Sequence, residues 1–251
     1  MSLWEFIAIL LAGVWAGTIN TVVGSGTLIT FPVLLAFGVP PVTANVSNTI
    51  GLVPGSLSGA WGYRRELSGQ RSLVTRLGSA AVLGGIVGAV LLLVLPSSAF
   101  DAIVPVLIAL GVILVILGPR IAKRVAARAG GDLPRHGAGW VWSAIGGTGI
   151  YGGYFGAAQG VLLLAVLGIG VEGTMQHHNA VKNVLAAMIN GVAALIFIVV
   201  ADVDWPIALT IAAGAIVGGQ LGATIGKRLP PNVLRAVIVV VGVIALISFF
   251  V

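Results

Sequence analysis

The amino-acid sequence predicts an all-α integral membrane protein made of two inverted-topology repeats. Three observations support this fold class. Hydrophobic residues make up 58% of the 251 residues and charged residues only 8%, and several apolar runs reach the ~20 residues that a helix needs to cross a bilayer. The glycine and proline pattern of the first half returns in the second half. The loops that correspond to each other carry charges of opposite sign.

Apolar runs bounded by glycine, proline and charged residues define ten expected helical segments. Their limits are roughly 3–23, 27–37, 42–62, 73–95, 101–118, 139–157, 160–170, 174–200, 206–226 and 232–251. The expected domains are a first membrane repeat at 1–118, a basic cytoplasmic linker at 119–138 and a second membrane repeat at 139–251. The first segment contains Glu5 and no basic n-region, so we expect a retained helix and not a cleaved signal peptide.

The internal repeat is visible as a constant spacing between matching residues. Residues 134 positions apart match along both halves: Gly84 with Gly218, Gly88 with Gly222, Leu95 with Leu229, Pro96 with Pro230, Gly26 with Gly160, and Asn45 with Asn179. Gly13 and Gly17 match Gly149 and Gly153 at a spacing of 136 residues. Internal symmetry of this kind is typical of secondary transporters.

Loop charges predict the orientation of each half. The loop Arg64–Arg76 is basic, whereas its counterpart Asp202–Trp205 is acidic. Pro96–Asp101 has no basic residue, whereas its counterpart Lys227–Asn232 is basic. Because cytoplasmic loops are enriched in Lys and Arg, corresponding loops are expected on opposite sides of the membrane, as inverted repeats require. Both termini are then expected outside the cell. The net charge of +6 is therefore interpreted as a topology signal and not as a nucleic-acid-binding surface.

Two apolar segments are too short to cross a bilayer. Leu28–Phe37 and Val161–Gly170 each have 10 residues, which is about 15 Å of helix against a ~30 Å hydrocarbon core. Breaks that contain glycine, Gly24–Thr27 and Gln159–Gly160, precede them. We expect each half to have a broken or re-entrant helix pair plus three spanning helices, and the helix N-termini at the breaks favour an anion. The alternative is ordinary short helices joined by glycine turns at the surface.

A helix with polar side chains follows each short segment. In the first half one stripe contains Asn45, Asn48, Thr49 and Ser56; the second half carries His177, His178, Asn179, Lys182, Asn183 and Asn190. Each polar residue taken alone fits a hydrogen bond between packed helices. Two corresponding stripes beside two corresponding breaks favour a shared site near the membrane centre.

Lys182 is the basic residue that a cytoplasmic location does not explain. It lies ten residues after Glu172, which we expect at the cytoplasmic surface, so it is about 15 Å deep. An ionisable side chain at that depth usually faces a partner or a water-filled cavity. Its compact ammonium suits an oxyanion, and His178, one turn earlier, can supply a second donor or pass protons. The alternative is that Lys182 snorkels to an interface or caps a helix-packing contact.

Two stretches of the sequence carry a family resemblance. The first is GTINTVVGSGTLITFPVLLAFGVPPVTANVSNTIGLVPGSLSGAWGYRREL at 17–67, and the second is GIYGGYFGAAQGVLLLAVLGIG at 149–170 with HHNAVKNVLAAMINGVAALIF at 177–197. They resemble the repeat signatures of the TauE/SafE family of sulfite exporters, over essentially the full chain. The resemblance implies a multi-pass transporter of the bacterial plasma (inner) membrane that moves sulfite, sulfoacetate or a similar organosulfonate, generally outward.

The expected substrate site binds a small anion between the repeats, with coupling to protons as an option. It consists of Gly24, Ser25, Gly26, Thr27, Asn45, Asn48, Gln159, Gly160, His178, Asn179, Lys182 and Asn183. The chain has no cysteine and three histidines, two of them adjacent. We therefore expect no disulfide, no metal site and no cofactor.

Two other functions fit parts of the pattern. An anion channel can also be built from inverted repeats. An intramembrane serine protease would use Ser25 as the nucleophile and His177 or His178 as the base, but a catalytic dyad gives no reason for a duplication of the whole chain. The sequence does not determine the oligomeric state. Apart from the small anion, the partner that it predicts is the lipid bilayer.

Overall fold

A computed structural model describes residues 1–128, 134, 136–224 and 231–248. Within these ranges the chain is all-helical and forms ten α-helices. They are α1 (Leu3–Val22), α2 (Thr27–Ala36), α3 (Pro41–Gly62), α4 (Arg71–Val94), α5 (Ser97–Arg128), α6 (Gly139–Tyr154), α7 (Gln159–Gly170), α8 (Met175–Val200), α9 (Trp205–Thr224) and α10 (Pro231–Ser248). The predicted basic loop Lys227–Asn232 lies mostly outside the described residues.

Five of the described helices are long and apolar enough to cross a membrane: α1, the Ser97–Ile121 part of α5, and α4, α8 and α9 in full. Helix α3 has 22 residues, but its polar stripe makes it less apolar. Large apolar side chains are exposed on the outer faces of most helices, including Leu3, Val94, Val106 and Val199. Such an apolar outer surface is typical of a protein that is surrounded by lipid.

Helix α5 is longer than the sequence predicted. We expected it to end at residue 118, before Pro119, but it continues to Arg128. Proline inside a helix removes one hydrogen bond and costs roughly 3 kcal/mol. The residues that follow Pro119 are mostly Ala, Lys and Arg, which are strong helix formers. The first part of the predicted linker is therefore a continuation of the helix.

The second helix break lies earlier than predicted. Helix α6 ends at Tyr154, so Phe155–Ala158 form the break, and Gln159 and Gly160 are already the first two residues of α7. Within the break Gly156 has a φ of +76° and Ala158 a φ of +59°. Left-handed backbone ends a helix, and alanine gives no sequence signal for this conformation because it favours the right-handed helix.

Small residues allow two pairs of helices to pack closely. Helix α1 packs along α9, where a Cβ atom on Gly17 would overlap with the carbonyl oxygen of Ala215. Helix α6 packs along α4, where a Cβ atom on Gly88 would overlap with the carbonyl oxygen of Ile150. Close backbone contact of this kind replaces the hydrophobic driving force that helices lack inside lipid.

The two polar helices occupy the middle of the bundle. Helix α3 packs on α9, α8 packs on α4, and α3 and α8 pack on each other. The short helices α2 and α7 contact α3 and α8, and they also contact α10 and α5. The fold therefore surrounds both breaks with helices and places the polar stripes next to them.

Candidate functional site

The two helix breaks contact each other. The backbone N–H of Gly160 donates a hydrogen bond to the carbonyl oxygen of Gly24 at 3.0 Å. Gly24 has a φ of +88°, and a Cβ atom on either glycine would overlap with the Cα atom of the other. Only glycine fits at such a contact. Gly26 is the N-cap of α2 and Gly160 is the second residue of α7, so two helix N-termini meet there.

Ser25 and Gln159 each bury a polar atom at these N-termini. The side chain of Ser25 is completely buried, and its Oγ has no hydrogen-bond partner within the described part of the chain. Gln159 Nε2 donates to Asn190 Oδ1 at 2.9 Å, but Gln159 Oε1 has no such partner. A buried polar atom without a hydrogen bond costs about 1–3 kcal/mol. Each of these atoms is therefore positioned to interact with a ligand or a water molecule.

The side chain of Lys182 is completely buried against the end of α1. Its Nζ donates to the carbonyl oxygens of Asn20 at 3.1 Å and Thr21 at 2.8 Å, and Asn183 Nδ2 lies 3.4 Å from the same Thr21 oxygen. The last carbonyl groups of a helix lack intrahelical donors and form the negative end of its dipole. Lys182 therefore caps α1, which is the kind of contact that the alternative to a substrate role predicted.

No carboxylate in the described part of the chain pairs with Lys182. The described part of the chain includes Glu5, Glu66, Asp101, Glu172, Asp202 and Asp204, and none of them is paired with Lys182 Nζ. An ammonium group has three N–H donors, and the two carbonyl oxygens use two of them. A buried cation of this kind is costly unless an anion or a further acceptor joins it.

Asn48 ties α3 to the start of α2. Its Nδ2 lies 3.4 Å from Thr27 Oγ1, and its Oδ1 accepts a short hydrogen bond from Thr30 Oγ1. Asn20, in the last turn of α1, donates from Nδ2 to Ser56 Oγ at 3.1 Å. The first break is thus surrounded by hydrogen-bonded amide and hydroxyl groups.

Asn45 and Asn179 form hydrogen bonds in other parts of the bundle. Asn45 Nδ2 donates to the carbonyl oxygen of Tyr154, the last residue of α6, at 2.9 Å. Asn179 Nδ2 donates to the hydroxyl of Tyr63 at 2.8 Å, and burial raises the pKa of that hydroxyl. The Oδ1 atoms of both asparagines are buried without a hydrogen-bond partner among the described residues.

His178 is not hydrogen-bonded to the Lys182 cluster. Its Nε2 lies 3.2 Å from the carbonyl oxygen of Val171, which is the C-cap of α7. The ring is buried, and it packs against Gly173 in the connection between α7 and α8. The structure thus gives His178 a capping contact, and its predicted role towards a substrate stays a prediction.

The structure places Gly24, Ser25, Gly26, Gln159 and Gly160 at or next to the contact between the breaks, and its hydrogen bonds involve further polar residues outside the predicted site. The residues that the sequence analysis did not name are Asn20, Thr21 and Thr30, and two further ones, Ser56 and Asn190, belonged to the predicted stripes but not to the predicted site. Asn20 and Thr21 stand directly before the first break, and a polar pair at the end of an apolar segment was a usable signal. Their contact with Lys182 joins residues more than 160 positions apart, which no local pattern reveals.

Comparison with known proteins agrees with this architecture. The chain is 25% identical over 237 residues to the "Probable membrane transporter protein YfcA" of Escherichia coli K12, covering 91% of this chain and 83% of that protein. It is 25% identical to the "Probable membrane transporter protein ORF9" of Sinorhizobium sp, covering 91% and 85%. It is 24% identical to a "Probable membrane transporter protein" of Haemophilus influenzae, covering 94% and 91%. The profile of the sulfite exporter TauE/SafE family matches residues 9–249, so the chain belongs to this family of multi-pass membrane transporters.

Proposed function

We propose that this transporter exports a small sulfur-containing anion, sulfite or an organosulfonate, across the bacterial plasma membrane. One observation carries the proposal. Lys182 is completely buried, has no carboxylate partner among the described residues, and lies against the end of α1 beside the contact of the two breaks. A small oxyanion bound there accepts the third N–H of the ammonium and compensates its charge. The sulfur chemistry comes from the family description.

The helix N-termini add to the attraction for an anion. The first N–H groups of a helix have no intrahelical acceptor and form the positive end of its dipole. Helices α2 and α7 both start at the breaks, and Ser25 contributes a hydroxyl without a partner in the described chain. Lys182 then supplies the charge, and the backbone and Ser25 supply further donors. A proton gradient is the driving force to test first. When the anion leaves, the site loses a negative charge, and a proton that moves with the anion would balance it.

We further propose that the two halves are inverted repeats. In support, residues 134 positions apart have matching local structure. Gly24 and Ala158 have positive φ, and Ser25 and Gln159, like Asn45 and Asn179, each have a buried oxygen without a hydrogen-bond partner among the described residues. The pairing of α1 with α9 also corresponds to that of α6 with α4. Combined with the loop charges, an inverted repeat predicts both termini outside.

Cysteine labelling tests the orientation directly, because the chain has no cysteine of its own. Asp202 and Ser68 are both exposed residues between helices. We expect an impermeant thiol reagent added outside to label a cysteine at Asp202 and not one at Ser68. Labelling of both positions from the same side would show that the halves are not inverted.

The two alternative functions, a serine protease and an anion channel, predict different site geometry and different transport behaviour. A serine protease needs a base hydrogen-bonded to its nucleophile, whereas Ser25 Oγ has no partner in the described chain and His178 is bonded to Val171. A channel would conduct an anion down its gradient but would not accumulate it. Uptake of labelled anion into proteoliposomes against a counter-gradient therefore separates a carrier from a channel.

The central experiment measures flux of sulfite, sulfoacetate and chloride in proteoliposomes containing wild type, Lys182→Met, Lys182→Arg and Lys123→Met. Lys123 is an exposed lysine and serves as the control. We expect Lys182→Met to fold and insert but to lose flux by at least about 100-fold, since about 3 kcal/mol of charge-assisted hydrogen bonding is removed. Lys182→Arg should keep part of the flux. Full transport by well-folded Lys182→Met would overturn the proposal.

A further inference from the structure

A cavity of about 210 Å³ leads from the surface to the two breaks. At one end it is lined by exposed Met175, and at the other by buried Val23 and Val161. Val23 directly precedes Gly24 and Val161 directly follows Gly160, so the inner end adjoins the contact of the breaks. The volume is several times the ~30 Å³ that one water molecule occupies, which is enough room for a small organic molecule.

The lining of this cavity has an unusual composition for a path to an anion site. Among the described residues, ten line the cavity: nine are apolar or glycine, and the tenth is Arg235 of α10, whose side chain is half-buried. A hydrated inorganic anion gains nothing from apolar walls. An apolar group gains roughly 0.8 kcal/mol for each methylene that it buries. The walls therefore favour a ligand that is apolar along most of its length.

The guanidinium of Arg235 favours an anionic group at the other end of that ligand. Arginine presents planar N–H groups that match sulfonate, phosphate and carboxylate oxygens in pairs. The position 134 residues earlier is Asp101, so the basic residue is not a consequence of the repeat. A cation on an otherwise apolar cavity fits a ligand with one anionic head and one apolar substituent.

We infer that the cavity lined by Arg235 is a second binding site, nearer the protein surface than Lys182, for anions that carry an apolar substituent. Arg235 binds the anionic head. The inference rests on the proposed function for the link between this site and transport. The site distinguishes alkyl- or arylsulfonates from bare sulfite before the anion reaches Lys182. Selectivity for the substituent and affinity for the charge then belong to different residues.

The test compares binding of 1-butanesulfonate and methanesulfonate to the purified full chain by calorimetry. Butanesulfonate is longer by three methylenes, each of which contributes up to about fourfold in affinity. We expect wild type to bind butanesulfonate at least about tenfold more tightly than methanesulfonate. Arg235→Gln should weaken butanesulfonate binding at least about tenfold, and Arg235→Lys should restore part of it.

Gly118 provides a variant that fills the cavity. A Cβ atom there would meet only Val161 Cγ1, at 4.0 Å, so Gly118→Leu enters the cavity without a backbone clash. We expect it to reduce the preference for butanesulfonate over methanesulfonate towards unity. Gly147→Leu is the matched control, because Gly147 is a helical glycine that faces open space and does not line the cavity; its preference should match wild type.

Three results would overturn the inference. They are equal affinity of wild type for both sulfonates, unchanged binding in Arg235→Gln, and equal effects of the two leucine variants. A fourth would assign the cavity to lipid: butanesulfonate binding that is present in phosphatidylcholine vesicles and lost when phosphatidylglycerol is added. Failure of the proposed function is distinguishable, because wild type would then show no flux of any sulfur anion while the binding measurements still decide the role of the cavity.

Discussion

The break at Val23–Gly26 and the break at Phe155–Ala158 have similar backbones but different chemistry around them. Positions 134 residues apart carry Gly24 and Ala158 with positive φ, and Ser25 and Gln159 with unpartnered oxygens in the described structure. The polar helices differ more. Asn48 in α3 corresponds to Lys182 in α8, and Ser56 corresponds to Asn190. The matching positions form a common scaffold, and of the two polar helices only α8 carries a lysine, Lys182.

The partners of the two helices explain this difference. Asn48 bonds to Thr27 and Thr30 within its own half, whereas Lys182 reaches Asn20 and Thr21 of the other half. A neutral amide satisfies the start of a neighbouring helix without a charge. The carbonyl oxygens at the end of α1 accept two of the three N–H groups of the Lys182 ammonium, and the third is left for an anion or a further acceptor. The comparison separates residues that hold the breaks in position from Lys182, the residue that we propose binds the anion.

The largest expected effect comes from substitution of the glycine at the first break. Gly24→Ala would place a Cβ atom on Gly160 and force alanine into left-handed backbone. Because the obstacle is backbone and cannot move aside, we expect a loss of more than about 3 kcal/mol and little folded protein. Yield and thermal unfolding of purified protein measure it.

Gly38→Ala is the matched control for that substitution. Gly38 also has a positive φ, of +77°, but a Cβ atom there meets nothing within 4 Å. It should cost only the left-handed strain, about 1–2 kcal/mol. Equal losses in both variants would mean that backbone strain, and not the contact between the breaks, determines the effect.

The next effect distinguishes the two polar helices by function. We expect Lys182→Met to reduce anion flux by at least about 100-fold and Asn48→Ala to reduce it by less than about tenfold, since only the former removes charge-assisted donation. Initial flux in proteoliposomes, corrected for the amount of folded protein, measures both. If Asn48→Ala abolished flux as fully as Lys182→Met, the binding residue could not be assigned to one half.

A smaller effect compares Ser25 with Gln159. Ser25→Ala removes a completely buried hydroxyl that makes no hydrogen bond to the described chain, so stability should rise by up to about 1–3 kcal/mol because the desolvation cost of that group is relieved. Gln159→Ala breaks the bond to Asn190 and leaves a cavity, so we expect a loss of about 2 kcal/mol. Chemical unfolding of both variants provides the comparison. A loss of stability in Ser25→Ala would show that its hydroxyl has a structural partner.

The sequence predicted the helices well because hydropathy and glycine position determine them. The limits of α2 and α3 lie within one residue of the expected ones. It did not predict that α5 continues past Pro119, because proline usually ends a helix and the compensation comes from residues after it. It also did not predict the partners of Lys182, since these are carbonyl groups of a distant helix. Backbone carbonyls are present in every residue, so only the packed structure shows which ones a buried cation reaches.

The smallest effect concerns the residue that differs in backbone preference between the breaks. Ala158 has a φ of +59°, which costs an L-residue about 1–2 kcal/mol, whereas its counterpart Gly24 has no such cost. Ala158→Gly relieves this strain but also removes a buried methyl group and makes the unfolded chain more flexible, by roughly 0.8 and 0.4–1 kcal/mol. We therefore expect stability within about 1 kcal/mol of wild type. Ala157→Gly is the control, because Ala157 is equally buried without a positive φ and has the two losses without the relief. In thermal unfolding Ala158→Gly should be more stable than Ala157→Gly by about 1 kcal/mol. Equal stability of the two variants would show that the second break holds alanine without strain.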